Sequence, residues 1–211
     1  MNKILAIISP FLFSSMLFAS GGLQKPPSIS QPIKILILGD SLTEGVGVQK
    51  EHAFPALLET SLNADGRSVQ VINGGVSGAT TASGMSRLKW HLKARPQIVV
   101  IALGANDGLR GFKPEATRKN LEELIKHSMA SGCKVVLAGM MVPPNYGPDF
   151  SKNFAAIFPD LAKKYRIPLI PFLLEGVGGV PALNMPDGIH PNEKGHVLLE
   201  KTVRPFILPL L

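Results

Sequence analysis

The sequence predicts an α/β fold with a parallel, doubly wound sheet and helices on both faces. Short β-branched or apolar runs alternate along the chain with longer amphipathic runs, which indicates repeated β-α units. The short runs are nearly continuous in apolar character, as in strands covered on both faces. The 21 Gly and 18 Pro are spread without a repeating period, which excludes a collagen-like or low-complexity chain and predicts many tight turns.

Five strands and five helices are predicted from this alternation. The strand candidates are Ile33 to Leu38, Val69 to Ile72, Gln97 to Leu103, Lys134 to Gly139 and Pro168 to Phe172. The helix candidates are Phe54 to Asn63, Gly78 to Lys93, Pro114 to Ser131, Phe154 to Tyr165 and Asn192 to Val203. In the third of these helices, Leu121, Leu124 and Ile125 recur at helical spacing, and Pro114 suits the first turn. No repeat or second boundary interrupts residues 33–211, so one domain is expected there.

The N-terminal residues 1–20 have the pattern of a secretory signal peptide. Lys3 precedes the apolar stretch from Ile4 to Ala19, and small residues follow it. The stretch is too short for a permanent membrane anchor. Residues 21–32 are expected to form a flexible lead-in. The sequence therefore predicts a secreted or periplasmic protein without a stable membrane anchor once the signal is removed.

The charge balance does not favour a nucleic-acid-binding protein. The chain carries 22 Lys and Arg against 15 Asp and Glu, a net charge of +7, but no run of five or six like charges. The single cysteine, Cys133, cannot form an intrachain disulfide or a cysteine cluster for zinc, so we expect a small buried apolar side chain. The expected partner is instead a small-molecule ester or thioester substrate, for the reasons that follow.

A serine follows the first predicted strand. Ligands of parallel sheets bind beyond the carboxyl ends of the strands, and the run Gly39-Asp40-Ser41-Leu42 lies there. The hydroxyl of Ser41 is a candidate nucleophile, although a serine that only caps a turn is a common alternative. A phosphate-binding loop is disfavoured, because neither glycine pattern of such loops is present.

A carboxylate and a histidine stand three residues apart near the C-terminus. Asp187 and His190 precede the last predicted helix, and a tight turn can bring the carboxylate to the imidazole. A serine nucleophile needs a base to accept its proton, and the imidazole needs an acceptor that fixes its tautomer. The alternatives are an Asp that caps the helix beside an exposed His, and a metal site, which no second His-rich cluster supports.

Two further loops follow the second and third predicted strands. The first contains Gly74, Gly75 and Gly78, and the second contains Asn106. Backbone amides in a glycine turn and a side-chain amide are suitable donors for the oxyanion of ester hydrolysis. Each of these residues could also serve only a turn. Their joint placement after successive strands favours the oxyanion interpretation.

These four blocks resemble the motifs of the GDSL, or SGNH, hydrolases, in the same order. The resemblance covers nearly all of the chain from Ile33 onward and implies that Ser41 is the nucleophile. It further implies that His190 is the general base and then acid, and that Asp187 orients His190. The fold that it implies is a three-layer α/β/α sandwich, flavodoxin-like, with five parallel strands and no cofactor or metal.

The same resemblance implies an oxyanion hole and a subgroup. The hole would consist of the backbone N–H groups of Ser41 and Gly78 and the side-chain amide of Asn106. Gly78 is preferred over Gly75 because the sequence from Val76 to Thr80 is similar to the family's second motif block. The sequences after the third and fourth strands and around His190 look like the periplasmic acyl-CoA thioesterase, lysophospholipase and arylesterase subgroup.

The loops bordering this site carry apolar side chains that suit an acyl chain or an aryl group. Leu109 and Tyr146 are the predicted substrate-binding residues, and at least one of Met140 and Met141 is expected to fill the core. The rim also includes Phe112, Val142 and Phe150. The remaining histidines are predicted on the surface; they are His52, His91, His127 and His196.

The main hypothesis is a serine esterase or thioesterase that hydrolyses carboxylic esters through an acyl-enzyme. Its substrates would be aryl esters, acyl thioesters or lysophospholipids. A carbohydrate acetylesterase is the second hypothesis, although a sugar would favour more polar surroundings. A non-catalytic exported binding module is the third, and the intact set of candidate catalytic residues argues against it.

Overall fold

The computed structural model describes residues 31–211. The predicted signal peptide, and the predicted lead-in up to residue 30, lie outside the described residues. Five strands form one parallel sheet in the order β2-β1-β3-β4-β5, which confirms the predicted sheet. The strands are β1 (Ile33–Gly39), β2 (Val69–Gly75), β3 (Ile98–Ala102), β4 (Lys134–Ala138) and β5 (Leu169–Ile170).

Helices cover both faces of this sheet. They are α1 (Ser41–Glu44), α2 (Phe54–Ala64), α3 (Gly84–His91), α4 (Ala105–Leu109), α5 (Pro114–Ala130), α6 (Pro148–Tyr165) and α7 (Glu193–Ile207). Helices α2 and α7 pack on each other in one layer, and α5 packs between α3 and α6 in the other. This arrangement confirms the three-layer α/β/α sandwich. Within residues 31–211, no helix combines the length and the apolar character needed to cross a bilayer.

The core lies on both faces of the central strands β1 and β3. Residues 35–38 of β1 are buried, and so is every residue of β3. Phe54 of α2 and Phe158 of α6 are among the largest buried side chains. Burial of each such side chain contributes about 1.5–3 kcal/mol. The packed centre therefore fixes the carboxyl ends of β1 and β3, which Ser41 and Asn106 follow.

Strand β2 extends to Gly75 rather than ending at Ile72 as predicted. Its last residues continue the parallel register, and Gly75 pairs with Gly39 of β1. A Cβ on Gly75 would lie 2.1 Å from the backbone N of Glu44, so only glycine permits α1 to pack this closely. Gly74 and Gly75 therefore form the end of a strand and not the predicted loop.

Helix boundaries differ from the prediction mainly at N-terminal ends. Helix α6 begins at Pro148 rather than Phe154, and α3 begins at Gly84 rather than Gly78, after a 3₁₀ turn. Helices α1 and α4 have only 4 and 5 residues and are absent from the prediction. Elements this short carry too few residues to show a helical period.

His196 of α7 is fully buried, so its predicted surface position is wrong. Its ring stacks on Phe54 with centroids 6.3 Å apart, and its Nδ1 accepts a hydrogen bond of 3.3 Å from the Phe54 N–H. Its Nε2 has no hydrogen-bond partner among residues 31–211. Burial, assisted by the nearby His190, lowers the pKa of His196 to about 4.

We expect this buried histidine to weaken the fold at acidic pH. Unfolded, His196 takes up a proton near its ordinary pKa of about 6.5. Folded, it resists protonation until its pKa of about 4. The unfolded state therefore binds more protons across this window, and the free energy of unfolding falls by on the order of 1–3 kcal/mol as pH falls through it.

Urea unfolding near neutral pH and at about pH 4.5 measures this effect. The variant His196→Asn keeps an acceptor for the Phe54 N–H and cannot titrate, so it should lose less stability on acidification than the parent. The control His127→Asn, on α5, should behave like the parent. Equal acid-induced losses in the parent and in His196→Asn would show that His196 is not responsible.

Candidate active site

A tight turn at the end of β1 carries Ser41 into the first position of α1. Asp40 caps this helix, because its Oδ1 accepts a 3.0 Å hydrogen bond from the Leu42 N–H. A Cβ on Gly39 would lie 1.9 Å from Thr43 Oγ1, so glycine is required before the turn. Gly45 then ends the helix in the left-handed conformation, with φ of +88°. Ser41 is thereby held at the carboxyl edge of the sheet.

Asp40 is a buried carboxyl directly behind the serine. Burial raises its pKa to about 6, against the lowering effect of the Leu42 N–H and of the charges on Arg87 and His190. Its Oδ2 lies 3.5 Å from the side-chain nitrogen of Asn106. Asp40 therefore connects the turn that carries Ser41 with the loop that follows β3.

The turn before α7 brings an imidazole to the serine. His190 Nε2 lies 3.0 Å from Ser41 Oγ, and His190 Nδ1 lies 2.7 Å from Asp187 Oδ2. The other carboxylate oxygen, Asp187 Oδ1, accepts the N–H groups of Ile189 at 2.9 Å and of His190 at 3.0 Å. The three predicted residues therefore form one continuous hydrogen-bonded chain, although Ser41 and His190 are 149 positions apart.

The electrostatics of this chain determine its proton positions. The hydrogen bond from His190, followed by the backbone N–H groups of His190 and Ile189, lowers the pKa of Asp187 to about 2. An ionised Asp187 can only accept, so it places the ring proton on Nδ1 of His190. The lone pair on Nε2 then faces the hydroxyl of Ser41 and is available to take its proton.

The predicted oxyanion hole includes the backbone N–H groups of Ser41 and Gly78. Within residues 31–211, neither the Ser41 N–H nor the Gly78 N–H donates to a protein acceptor. The Gly75 N–H, in contrast, donates to Asn73 Oδ1 at 2.9 Å. Gly78 has a φ of +70°, and its carbonyl accepts a 3.1 Å hydrogen bond from Arg110. This geometry favours Gly78 over Gly75 as an oxyanion donor.

Asn106 supplies the third candidate donor. Its Nδ2 donates to the Ala79 carbonyl at 3.1 Å, and its 3.5 Å contact with Asp40 is at the limit of a hydrogen bond. One amide hydrogen is therefore firmly held, and the other is only weakly engaged. Gly104, with a φ of +124°, permits the sharp entry into α4 that places Asn106 here.

Two residues hold the donor loops in place, and neither role is predicted from the sequence. The buried carboxylate of Asp107 accepts hydrogen bonds from the Thr81 N–H at 2.9 Å and the Thr81 hydroxyl at 2.5 Å, which joins α4 to the loop containing Gly78.

The second of these residues is Arg87 of α3, which donates to the carbonyls of Gly39, at 2.7 Å, and Gly74. Burial lowers the pKa of Arg87. No local pattern signals such contacts, because the partners of each residue lie far away in the sequence.

The two predicted substrate-binding residues contact each other. The hydroxyl of Tyr146 donates to the Leu109 carbonyl at 2.6 Å, which joins the loop after β4 to the end of α4. The Tyr146 ring stacks on Phe150, with centroids 6.0 Å apart, so the tyrosine is supported from the core side. Met140 is buried, as expected for one of the paired methionines, whereas Met141 is 51% exposed.

The chain is similar to known ester hydrolases along most of its length. A model of the GDSL-like Lipase/Acylhydrolase family matches residues 37–198. An arylesterase of Vibrio mimicus is 45% identical over 75% of this chain and 80% of that protein. The thioesterase 1/protease 1/lysophospholipase L1 of Escherichia coli is 36% identical over 84% of each chain. A crystal structure of the psychrotrophic esterase EstA from Pseudoalteromonas sp., inhibited by monoethylphosphonate, is also similar. It superposes with a TM-score of 0.80 at 35% identity, and the match covers 84% of this chain and 98% of EstA.

Proposed function

The chain belongs to the GDSL-like lipase/acylhydrolase family and is a hydrolase of ester bonds, and on that premise we propose that Ser41, His190 and Asp187 are its catalytic triad. The observation that supports this assignment is the hydrogen-bonded chain from Ser41 Oγ through the His190 ring to Asp187, with distances of 3.0 and 2.7 Å. A nucleophile, a base and an orienting carboxylate in this order are the requirements of nucleophilic acyl transfer.

The first half of the reaction forms an acyl-enzyme. Ser41 Oγ attacks the carbonyl carbon of the ester while His190 Nε2 takes the hydroxyl proton. Asp187 remains ionised and stabilises the imidazolium. The Ser41 N–H, the Gly78 N–H and the Asn106 amide donate hydrogen bonds that stabilise the negative charge developing on the carbonyl oxygen. The intermediate then collapses, and His190 gives its proton to the departing alcohol or thiol.

The second half regenerates the serine. Water attacks the acyl carbonyl, and His190 Nε2 takes a proton from that water. The same three donors stabilise the second oxyanion. Collapse breaks the bond to Ser41 Oγ, which recovers its proton from His190, and the carboxylic acid leaves. All proton transfers therefore pass through one ring nitrogen.

The substrates that we propose are aryl esters, acyl thioesters and lysophospholipids. The names of the relatives support these classes, and the apolar rim with Leu109 and Tyr146 suits an acyl or aryl group. Purified protein should be assayed with aryl esters, acyl-CoA thioesters and lysophospholipids of graded chain length. We expect these substrates to be hydrolysed faster than acetate is released from acetylated sugars. The opposite order would instead favour a carbohydrate acetylesterase.

Replacement of Asn106 by alanine should slow the reaction by about 10²–10³-fold in kcat, with a smaller effect on KM. The amide of Asn106 is proposed to act on the oxyanion, which exists only after attack has begun. Steady-state kinetics with an aryl ester measure the effect. The control Asn63→Ala, on α2, removes two side-chain hydrogen bonds to the backbone of Val69, at 3.0 and 3.1 Å, and should change kcat far less. Equal effects of the two variants would exclude Asn106 from the oxyanion hole.

We also propose that the protein is exported to the periplasm or secreted through its N-terminal signal. The apolar run before Ala19 and the small residues after it support this proposal. The proposal is tested by isolating the protein from outside the cytoplasm and measuring its molecular mass, which gives the residue at which the chain begins. We expect a chain that begins between Ser20 and Gly22, and recovery of a chain that still begins at Met1 would contradict the proposal.

A further inference from the structure

The contact between Asp187 and His190 does not by itself place the imidazole over the serine. Both residues lie in one exposed turn, residues 185–191, which we call the catalytic turn. Their mutual hydrogen bond would survive if the whole turn shifted as a unit. The 3.0 Å distance from His190 Nε2 to Ser41 Oγ therefore depends on what anchors the turn to the rest of the fold.

The catalytic turn is closed at its base by a short antiparallel stem. Asn184 and Pro191 form an isolated β-bridge, and the Met185 N–H donates to the His190 carbonyl at 2.7 Å. The Asn192 N–H donates to the Leu183 carbonyl at 2.9 Å. An asparagine thus stands on each side of the turn, one before it and one after it.

Asn192 joins the stem to helix α7. Its Oδ1 caps the helix by accepting the Gly195 N–H at 3.2 Å. Its Nδ2 donates across the stem, to the carbonyls of Ala182 at 3.1 Å and Asn184 at 3.3 Å. The first turn of α7 packs so closely on the stem that a Cβ on Gly195 would lie 2.3 Å from the Leu183 carbonyl oxygen. Asn192 therefore couples the catalytic turn to a helix that packs in the core.

Asn184 joins the other side of the stem to the preceding loop. This side chain is buried, and its Nδ2 donates to the carbonyls of Val177 at 2.7 Å and Val180 at 2.8 Å. Val177 itself is fully buried in the core. Asn184 also lines a cavity of about 390 Å³, together with residues of this loop and of the catalytic turn. These two side-chain hydrogen bonds add to the backbone bond of 3.0 Å from the Leu183 N–H to the Val180 carbonyl, and together they attach this side of the stem to the loop.

We propose that Asn184 and Asn192 are positioning residues of the reaction, whose side-chain amides lock the stem of the catalytic turn and hold His190 against Ser41. The proposal rests on the proposed catalytic triad. Neither asparagine touches the substrate, and each acts through the position of the imidazole. Loss of either amide should therefore lower kcat while leaving KM and the Asp187–His190 bond unchanged.

The variant Asn192→Ser separates this role from helix capping. Serine is as good an N-cap as asparagine, but its side chain is too short to reach the stem carbonyls. We expect kcat for an aryl ester to fall by about 10- to 100-fold, the loss typical of a small misplacement of a catalytic group. The rate of inactivation by a serine-directed phosphonate should fall by the same factor. The midpoint of the acidic limb of the pH–rate profile should stay where it is in the parent.

The matched control is Asn63→Ala on α2. Asn63 also makes two side-chain hydrogen bonds to backbone groups, both to Val69 and both far from the catalytic turn. This control should change thermal stability without changing kcat. Asn184→Ala is the second test of the proposal, and its effect should be less than additive with that of Asn192→Ser. In a His190→Ala background, neither asparagine variant should lower the residual rate further.

The outcomes are distinct. Parent-like kcat and inactivation rates in Asn192→Ser would overturn the positioning role, and so would a further loss of rate in the His190→Ala background. A shifted acidic limb would show that the asparagines act on the Asp187–His190 bond rather than on the placement of the turn, and would also overturn it. If Asn184→Ala does not fold, the kinetic results with Asn192→Ser are sufficient to test the proposal. A parent enzyme that the phosphonate does not modify would instead overturn the proposed triad.

Discussion

Ser41→Ala should lower kcat for an aryl ester by at least ~10⁴-fold and abolish the acyl-enzyme. The hydroxyl oxygen of Ser41 is the protein atom that bonds to the acyl group in the proposed mechanism, and alanine has no replacement for it. Because the serine side chain is short and sits at the start of a single-turn helix, the fold should be unaffected. Rapid-quench measurement of the first turnover, together with a thermal unfolding curve, tests both statements.

The control for this experiment is Ser86→Ala. Ser86 is an exposed serine on α3 that donates to the Ser83 carbonyl at 3.1 Å and lies outside the site. Its replacement should leave turnover at the parent level. Substantial turnover by Ser41→Ala, with the same burst of product as the parent, would exclude Ser41 as the nucleophile.

His190→Ala should be nearly as severe, again with a loss of at least ~10⁴-fold in kcat. Without the imidazole, no group accepts the serine proton at 3.0 Å, and none returns it to the leaving group. The parent enzyme should lose activity as the pH becomes acidic, because only the neutral ring accepts a proton. The pH–rate profile of the parent and the kcat of the variant measure the two effects.

Asp187→Asn provides the internal comparison for His190. Its carboxylate fixes the ring tautomer but exchanges no proton with the substrate, so the loss should be smaller than that of His190→Ala. The low pKa of Asp187, about 2, keeps the parent carboxylate ionised throughout the assay range. Full activity in Asp187→Asn would remove this residue from the triad, and a flat acidic profile of the parent would contradict the role of His190.

The alternation of apolar and amphipathic runs predicted most of the fold. The apolar runs located all five strands, and the pattern is clearest in β3, which is buried on both faces and entirely apolar. The end of β2 was not predictable in this way, since Asn73, Gly74 and Gly75 continue the pairing with β1 without any apolar side chain. The early start of α6 at Pro148 was likewise missed, because its first turn carries no buried residue.

Some residues of the candidate site could be predicted from the sequence, and others could not. Ser41 and the pair Asp187 and His190 stand in short local motifs, each of which alone also fits a turn or a helix cap. Their joint placement with the glycine and asparagine loops, together with the resemblance to the GDSL hydrolases, indicated acyl transfer. Arg87 and Asn184 carry no comparable signal, since their partners are backbone carbonyls that only the folded chain brings near. The burial of His196 was missed for the same reason, because the Phe54 ring that covers it lies 142 positions away.

The most direct test of the proposed triad is the site of covalent modification by a serine-directed phosphonate. The purified parent should gain the mass of one phosphonyl group, and peptide mapping should place that group on Ser41 alone. The His190→Ala variant should react far more slowly. Modification of a different residue, or continued ester hydrolysis by a protein whose Ser41 is fully modified, would contradict the proposal that Ser41 and His190 act together on the substrate carbonyl.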